Sequence, residues 1–346
     1  MDILLGMAVA TIAVVVVFDY TNGFHDASNI IATVIASRAM SPARAVAIVA
    51  IFEFLGPLLG GTAVANTIGK FVTIGDLPEL PALVIILCGI VGAVAWNLVT
   101  WWFGIPSSSS HALVGGLAGA VLVAAGADHV VWGVRELFHG HLTGVTKMVM
   151  ALILSPVVGF WAGYVIHRWM GFLLRGARPE INHSLRRVQY LSAAGLAFSH
   201  GANDAQKSMG VITLVLVLGG FIPAFEVPFW VILTCASAIA LGILSGGWRI
   251  VRTVGFGIYK VRPLHAVDAQ LTSAAVVFGS ALVGAPVSTT HVVSSAIMGI
   301  GASERPRAVR WAKAEDIVST WIITIPCAGL VSIATYYLVH LLTGAA

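Results

Sequence analysis

The sequence predicts an all-α polytopic membrane protein of two inverted-topology repeats, about five spans each, with broken helices at the midplane. Three observations predict it. Hydrophobic residues make up 58% of the chain and charged residues 10%, whereas soluble domains carry roughly 25% charged residues. Apolar runs long enough for a span of ~20 residues recur along the whole length, and mean hydropathy is +0.94. Finally, three motifs of the first half return in the second half, in the same order and at nearly the same offset.

Ten spans are expected, at residues 3–37 (broken near 22–28), 45–69, 82–103, 107–126, 148–170, 190–218 (broken near 200–206), 228–247, 267–284, 287–302 and 317–342. The first follows only Met1 and Asp2, without a basic leader, so it reads as a retained span and not a signal peptide. With the N-terminus outside, inner loops hold 15 of the 19 Lys and Arg residues, and Lys70, Arg135 and Lys147 lie outside. That asymmetry is the positive-inside rule, and it places both termini outside. The net charge of +4 comes without a basic, aromatic-interleaved face, which argues against nucleic-acid binding. Cys88, Cys235 and Cys327 lack metal or redox spacing and read as small buried hydrophobes.

The repeats divide the chain into 1–170, an Arg-rich linker at 171–189, and 190–346. Gly23, Asp26 and Ala27 superpose on Gly201, Asp204 and Ala205. Pro106 to His111 returns as Pro286 to His291, and Gly56, Gly60, Gly61, Thr67 and Gly69 return as Gly242, Gly246, Gly247, Thr253 and Gly255. Five spans is an odd number, so the second half enters the membrane the other way up. Many secondary transporters have this architecture and bind substrate near the midplane. The short linker leaves no room for a soluble domain, and no nucleotide-binding Gly-x-x-x-x-Gly-Lys-Ser/Thr motif occurs.

Two kinds of stretch carry the chemistry. Asn22, Gly23, His200 and Gly201 are poor helix formers. The spans are therefore expected to open there, freeing carbonyls beside Asp26 and Asp204. With Asn22, Asn29 and Asn203, those oxygens suit a hard cation, and a proton is the other way to neutralise the carboxylates. An intramembrane ionisable group is a functional-site hypothesis by default. The other stretches read as helix starts. A Pro precedes Ser107, Ser108, Ser109 and Ser110 in one half, and Ser288, Thr289 and Thr290 in the other. Their unpaired N–H groups, hydroxyls and positive dipole ends form anion sites. Facing each other, two such sites would grip one tetrahedral oxyanion. The structural alternatives are a carboxylate hydrogen-bonded between helices and ordinary Ser/Thr packing.

His25, His111, His200 and His291 lie in or beside these motifs and are candidate proton relays or packing residues. Lys207 stands where the first copy has Asn29. An ammonium there needs a partner, either Asp204 or the anion, unless it snorkels to the inner face. Glu53 has no acidic counterpart and reads as part of the cation path or as the partner of a polar neighbour. Glycines spaced G-x-x-x-G at Gly56, Gly115 and Gly242 mark close helix contacts. Arg249 and Arg252 read as inner-face anchors, with attraction of anions as the alternative.

Taken together, the stretches 22–29, 105–111, 200–207, 246–249 and 286–291 resemble the inorganic phosphate transporter (Pit) family, and the likeness covers nearly the whole chain. The resemblance implies phosphate uptake with substrate at the midplane between the Ser/Thr half-helices. It further implies a coupling cation near the two Asp signatures, and re-entrant or broken helical hairpins at 105–126 and 285–302. His25 and Lys207 look like the bacterial low-affinity branch, which is proton-coupled and carries phosphate partly as a complex with Mg2+ or another divalent metal. Glu53 looks more like the sodium branch, so H+ and Na+ both stand as coupling ions. No tightly bound cofactor is expected. The expected partners are phosphate, membrane lipids, a second copy of the chain and a cytoplasmic helical accessory protein, in the bacterial inner membrane. Against this reading stand a sulfate permease of the same fold, an anion channel and an intramembrane metallohydrolase. The last lacks any His-x-x-x-His pair within a span.

Overall fold

The computed structural model describes residues 3–343, which fold almost entirely into helices. In chain order these are α1 (Ile3–Ala36), α2 (Pro42–Leu59), α3 (Ala63–Gly69), α4 (Glu79–Phe103), α5 (Ser109–Ala124), α6 (Val134–Phe138), α7 (Gly144–Leu173), α8 (Ile181–Leu218), α9 (Phe229–Ser245), α10 (Trp248–Gly257), α11 (Pro263–Leu282), α12 (Thr289–Glu304) and α13 (Trp311–Thr343). Among the described residues, α1, α2, α4, α7 and α13 are each long and apolar enough to cross a membrane. The pair α9 and α10, bent by 73°, makes a sixth crossing if counted as one span. Large apolar side chains lie outermost, with Trp161 59% and Ile322 71% exposed, as a lipid-facing surface requires.

The ten expected spans are corrected at four places. The second is interrupted at residues 60–62 between α2 and α3, and the seventh bends at Gly246, whose φ of 76° lies in the left-handed region. The expected spans at 107–126 and 287–302 are α5 and α12, each only 16 residues. At 1.5 Å per residue that is about 24 Å, short of a ~30 Å hydrocarbon core. Both are half-helices that start inside the protein. Residues 181–189, read as linker, form the first turns of α8.

The expected openings in α1 and α8 do not occur: both helices run unbroken through the Asp signatures. Tertiary packing overrides the weak propensities of Asn and Gly. A Cβ at Gly23 would collide with the Ile239 carbonyl and Gly242 on α9. One at Gly201 would collide with the Glu53 carbonyl on α2. These glycines therefore permit close helix crossings and free no carbonyls. The Gly201→Ala protein is expected to lose about 1–3 kcal/mol of stability, read as a lower melting temperature in detergent. An unchanged melting temperature would refute the close-packing account.

The loops sort into two sets that meet among themselves. Val72 bridges Val130, and Lys147 Nζ donates to Thr67 Oγ1 at 3.1 Å. At the other end the Arg310 N–H donates to the Ile258 carbonyl at 3.0 Å, and Ser37 Oγ donates to Gln189 Oε1 at 2.6 Å. The second set holds the Arg-rich segments. Arg249 lies there over Trp102, 4.4 Å from the ring centroid, and donates to the Trp102 carbonyl.

Candidate functional site

The half-helices define the centre. Ser108 caps α5 by accepting the His111 N–H at 3.2 Å, and Ser288 caps α12 through the His291 N–H at 3.4 Å. The other first-turn N–H groups have no intrahelical acceptor and remain available to an anion. The two starts touch: Ser110 Oγ donates to the Val287 carbonyl at 3.0 Å, and the His111 and His291 rings lie 4.6 Å apart. His291 also stacks on Trp321 at 3.8 Å.

The first Asp signature binds both starts. Asp26 Oδ2 accepts from Ser109 Oγ at 2.6 Å. Its Oδ1 accepts from Thr290 Oγ1 at 2.9 Å and lies 2.8 Å from His25 Nδ1. The far ring nitrogen of His25 lies 3.1 Å from Thr100 Oγ1 and 3.3 Å from Ser107 Oγ. Asn29 Nδ2 donates to Thr290 Oγ1 at 2.8 Å.

The second signature answers it. Lys207 Nζ donates to Asp204 Oδ1 at 2.7 Å, to Ser110 Oγ at 2.5 Å and to the Val287 carbonyl at 3.0 Å. Position 29 thus reaches Thr290 and its counterpart 207 reaches Ser110, the matching residue of the other half-helix. Lys207 is 0% exposed, so it does not snorkel. Asn203 Nδ2 donates to the Ala285 carbonyl at 3.2 Å, just before the second half-helix.

The two signatures also meet each other. Asn22 Nδ2 donates to Asp204 Oδ2 at 3.1 Å. Asp26, His200 and Asp204 each bring one ligand atom within 4.8 Å of the others. His200 stands between carboxylates: Nδ1 contacts Glu53, and Nε2 lies 3.1 Å from Asp204 Oδ2, an ion-pair distance without hydrogen-bond alignment. Glu53 therefore has the polar neighbour foreseen for it. Every one of these groups is buried, Asp26 at 1% and Asp204 at 0% exposure. Oxygen donors for a cation come here from side chains, with Asn22 Oδ1, Asn29 Oδ1 and Asn203 Oδ1 lacking protein donors.

Some buried groups at this centre have no place in the motifs. Asp19, 0% exposed, accepts from Ser208 Oγ at 2.5 Å. Its legible signal was the seven-residue spacing to Asp26, two turns along one helix face. Thr100 and Asn97 on α4 stand alone in an apolar run and carried no such signal.

Fold and site together define a polytopic helical membrane protein with an enclosed polar centre between two capped half-helices. The phosphate transporter family's profile matches residues 22–332. A Bacillus subtilis (strain 168) protein described as a "probable low-affinity inorganic phosphate transporter" is 40% identical over 99% of this chain and 100% of its own length. A Rhizobium meliloti (strain 1021) protein of the same description is 42% identical over 96% of each chain. The chain belongs to the phosphate transporter family. Its fold is also that of a solved structure described as "the sodium-dependent phosphate transporter", with TM-score 0.86 and 23% identity over 97% of this chain and 99% of that one.

Proposed function

We propose that this chain imports inorganic phosphate across the bacterial inner membrane by symport with protons, as two inverted repeats rocking around a fixed midplane site. The observation that carries this reading is Asp26, a carboxylate of the first half hydrogen-bonded at once to Ser109 and to Thr290, the starts of both half-helices. Phosphate would bind where Ser107, Ser108, Ser109, Ser110, Ser288, Thr289 and Thr290 converge. Thr289 Oγ1 is buried without a protein partner and is free to donate to it. Lys207 would supply positive charge. Phosphate fits better than sulfate, because it can donate to Asp26 as well as accept from hydroxyls. Proton handling would fall to Asp26, Asp204 and Glu53, with His25 and His200 between them and His111 and His291 supporting the half-helix starts.

Sodium coupling is the second reading, favoured by the three amide oxygens of Asn22, Asn29 and Asn203 beside two carboxylates. Against it, Lys207 already places a cation next to Asp204. Import of a neutral metal–phosphate complex, a homodimer, an accessory protein on the Arg-rich loops and outward-facing termini belong to the same proposal.

The test is radiolabelled phosphate uptake into proteoliposomes, with proton and sodium gradients imposed separately, with and without magnesium, and sulfate as the competitor. Accumulation should follow the proton gradient and be little affected by sulfate. Accumulation driven by sodium alone would replace the proton reading. Flux that follows the phosphate gradient only would sink symport altogether and point to a channel.

A further inference from the structure

A second cluster of ligating side chains lies at the opposite end of α12 from the phosphate site, about 22 Å along the helix from Thr289 to Glu304. His167 near the end of α7, His265 in the first turn of α11 and Glu304 closing α12 each bring one ligand atom within 4.8 Å of the others. The two rings lie 5.0 Å apart, edge to face. His167 and His265 are buried, at 7% and 4% exposure.

A ring of supporting groups orients each ligand. His167 Nδ1 donates to Asp268 Oδ2 at 2.7 Å, and Asp268 is 0% exposed. That leaves the Nε2 lone pair of His167 for an ion, in the carboxylate–histidine arrangement usual at metal centres. Glu304 is held by Arg262 Nη2 on Oε1 and the Tyr259 hydroxyl on Oε2, both at 2.8 Å. His265 Nε2 faces Glu304 Oε2 at 3.0 Å, so an ion bound here replaces the proton they share. His265 Nδ1 accepts the Arg262 N–H at 3.2 Å, and an ion at Nε2 exchanges that contact for a ring N–H turned to the Lys260 carbonyl. A cavity of about 800 Å³ lined by His167, Arg168, Arg175 and Glu304 reaches the cluster and offers a way in.

We propose that His167, His265 and Glu304 form a binding site for a divalent transition metal of the zinc class, distinct from the phosphate site, that ties α7, α11 and α12 together. Two imidazoles and one carboxylate suit zinc, cobalt or nickel, whereas sodium and magnesium favour all-oxygen sites. The three protein ligands leave a fourth position for water. Since α12 carries the Ser288–Thr290 start, an ion fastening its far end restrains the movement that releases substrate. This consequence, though not the binding itself, rests on the transport reading above.

The test titrates tag-free, detergent-purified protein with Co2+ and records the absorption bands of tetrahedral cobalt, then displaces it with Zn2+. The native protein should bind about one equivalent. Affinity should fall about 10- to 100-fold in Asp268→Asn, whose carboxylate only positions His167, and at least as far in His167→Ala and His265→Ala. The Asp204→Asn protein controls for the cluster of Asp26, His200 and Asp204 and should keep the signal. Absence of tetrahedral bands, or bands unchanged in both histidine variants while lost in Asp204→Asn, would overturn the site. In proteoliposomes, Zn2+ on the face bearing this cluster should slow phosphate uptake by the native protein and leave the His265→Ala protein unaffected. Stoichiometric cobalt binding with zinc-insensitive uptake would overturn the restraint of α12 alone.

Discussion

Phosphate uptake by the Asp26→Asn protein is expected to fall at least about 100-fold, equivalent to about 2.7 kcal/mol. The carboxylate accepts from Ser109 and Thr290 and faces His25 Nδ1. Hydrogen bonds to a charged group contribute about 1.5–3 kcal/mol each, and the amide nitrogen of Asn turns one acceptor into a donor aimed at donors. Shape is kept, so the protein should still fold and insert, which a melting curve in detergent checks. Loss of uptake with an unchanged melting temperature supports the role of Asp26 in the cycle. Uptake within a few-fold of native would remove Asp26 from the mechanism and leave it a packing residue.

Lys207→Asn should change the coupling ion. Lys207 is a buried ammonium on Asp204, Ser110 and the Val287 carbonyl. Removing one partner of a buried ion pair costs about 3–5 kcal/mol, because the remaining charge is left uncompensated. The variant restores the Asn that the first signature carries at position 29, giving an amide oxygen where the ammonium stood. Its melting temperature should drop without sodium and recover as sodium is added, since an ion that binds only the folded state stabilises it by mass action. Its phosphate uptake should become sodium-dependent. A melting temperature and phosphate affinity that ignore sodium would defeat the idea that Lys207 stands in for a bound cation.

The residues gathered at the buried centre are largely legible in the sequence, because polar groups are costly in a membrane and these come as pairs of echoing stretches. Asp26 and Asp204, the four serines and their Ser-Thr-Thr counterpart all lie at the buried centre. The local conformation was legible only in part. The Ser and Pro signals at 106–110 and 286–290 do start helices, because capping is settled within three or four residues. The Asn-Gly signal at 22–23 did not open α1, because whether a glycine breaks a helix or lets another helix approach depends on what lies opposite. Here that is Ile239 and Gly242. Asn97, a single polar residue in an apolar run, has no echo to distinguish it, and Asp19 is marked only by its spacing to Asp26.

By itself, the sequence determined the membrane class, the paired motifs and the loop charge asymmetry. Composition, periodicity and repetition are properties of the chain that need no partner. Only the tertiary structure decided that α1 and α8 stay whole and that α5 and α12 are half-helices meeting head to head. It alone set Thr290 against Asp26, Ser110 against Lys207, and His167 near His265 and Glu304. Those contacts join residues tens to hundreds of positions apart, and their free energy exists only once the close helix crossings at Gly23 and Gly201 have brought the backbones together.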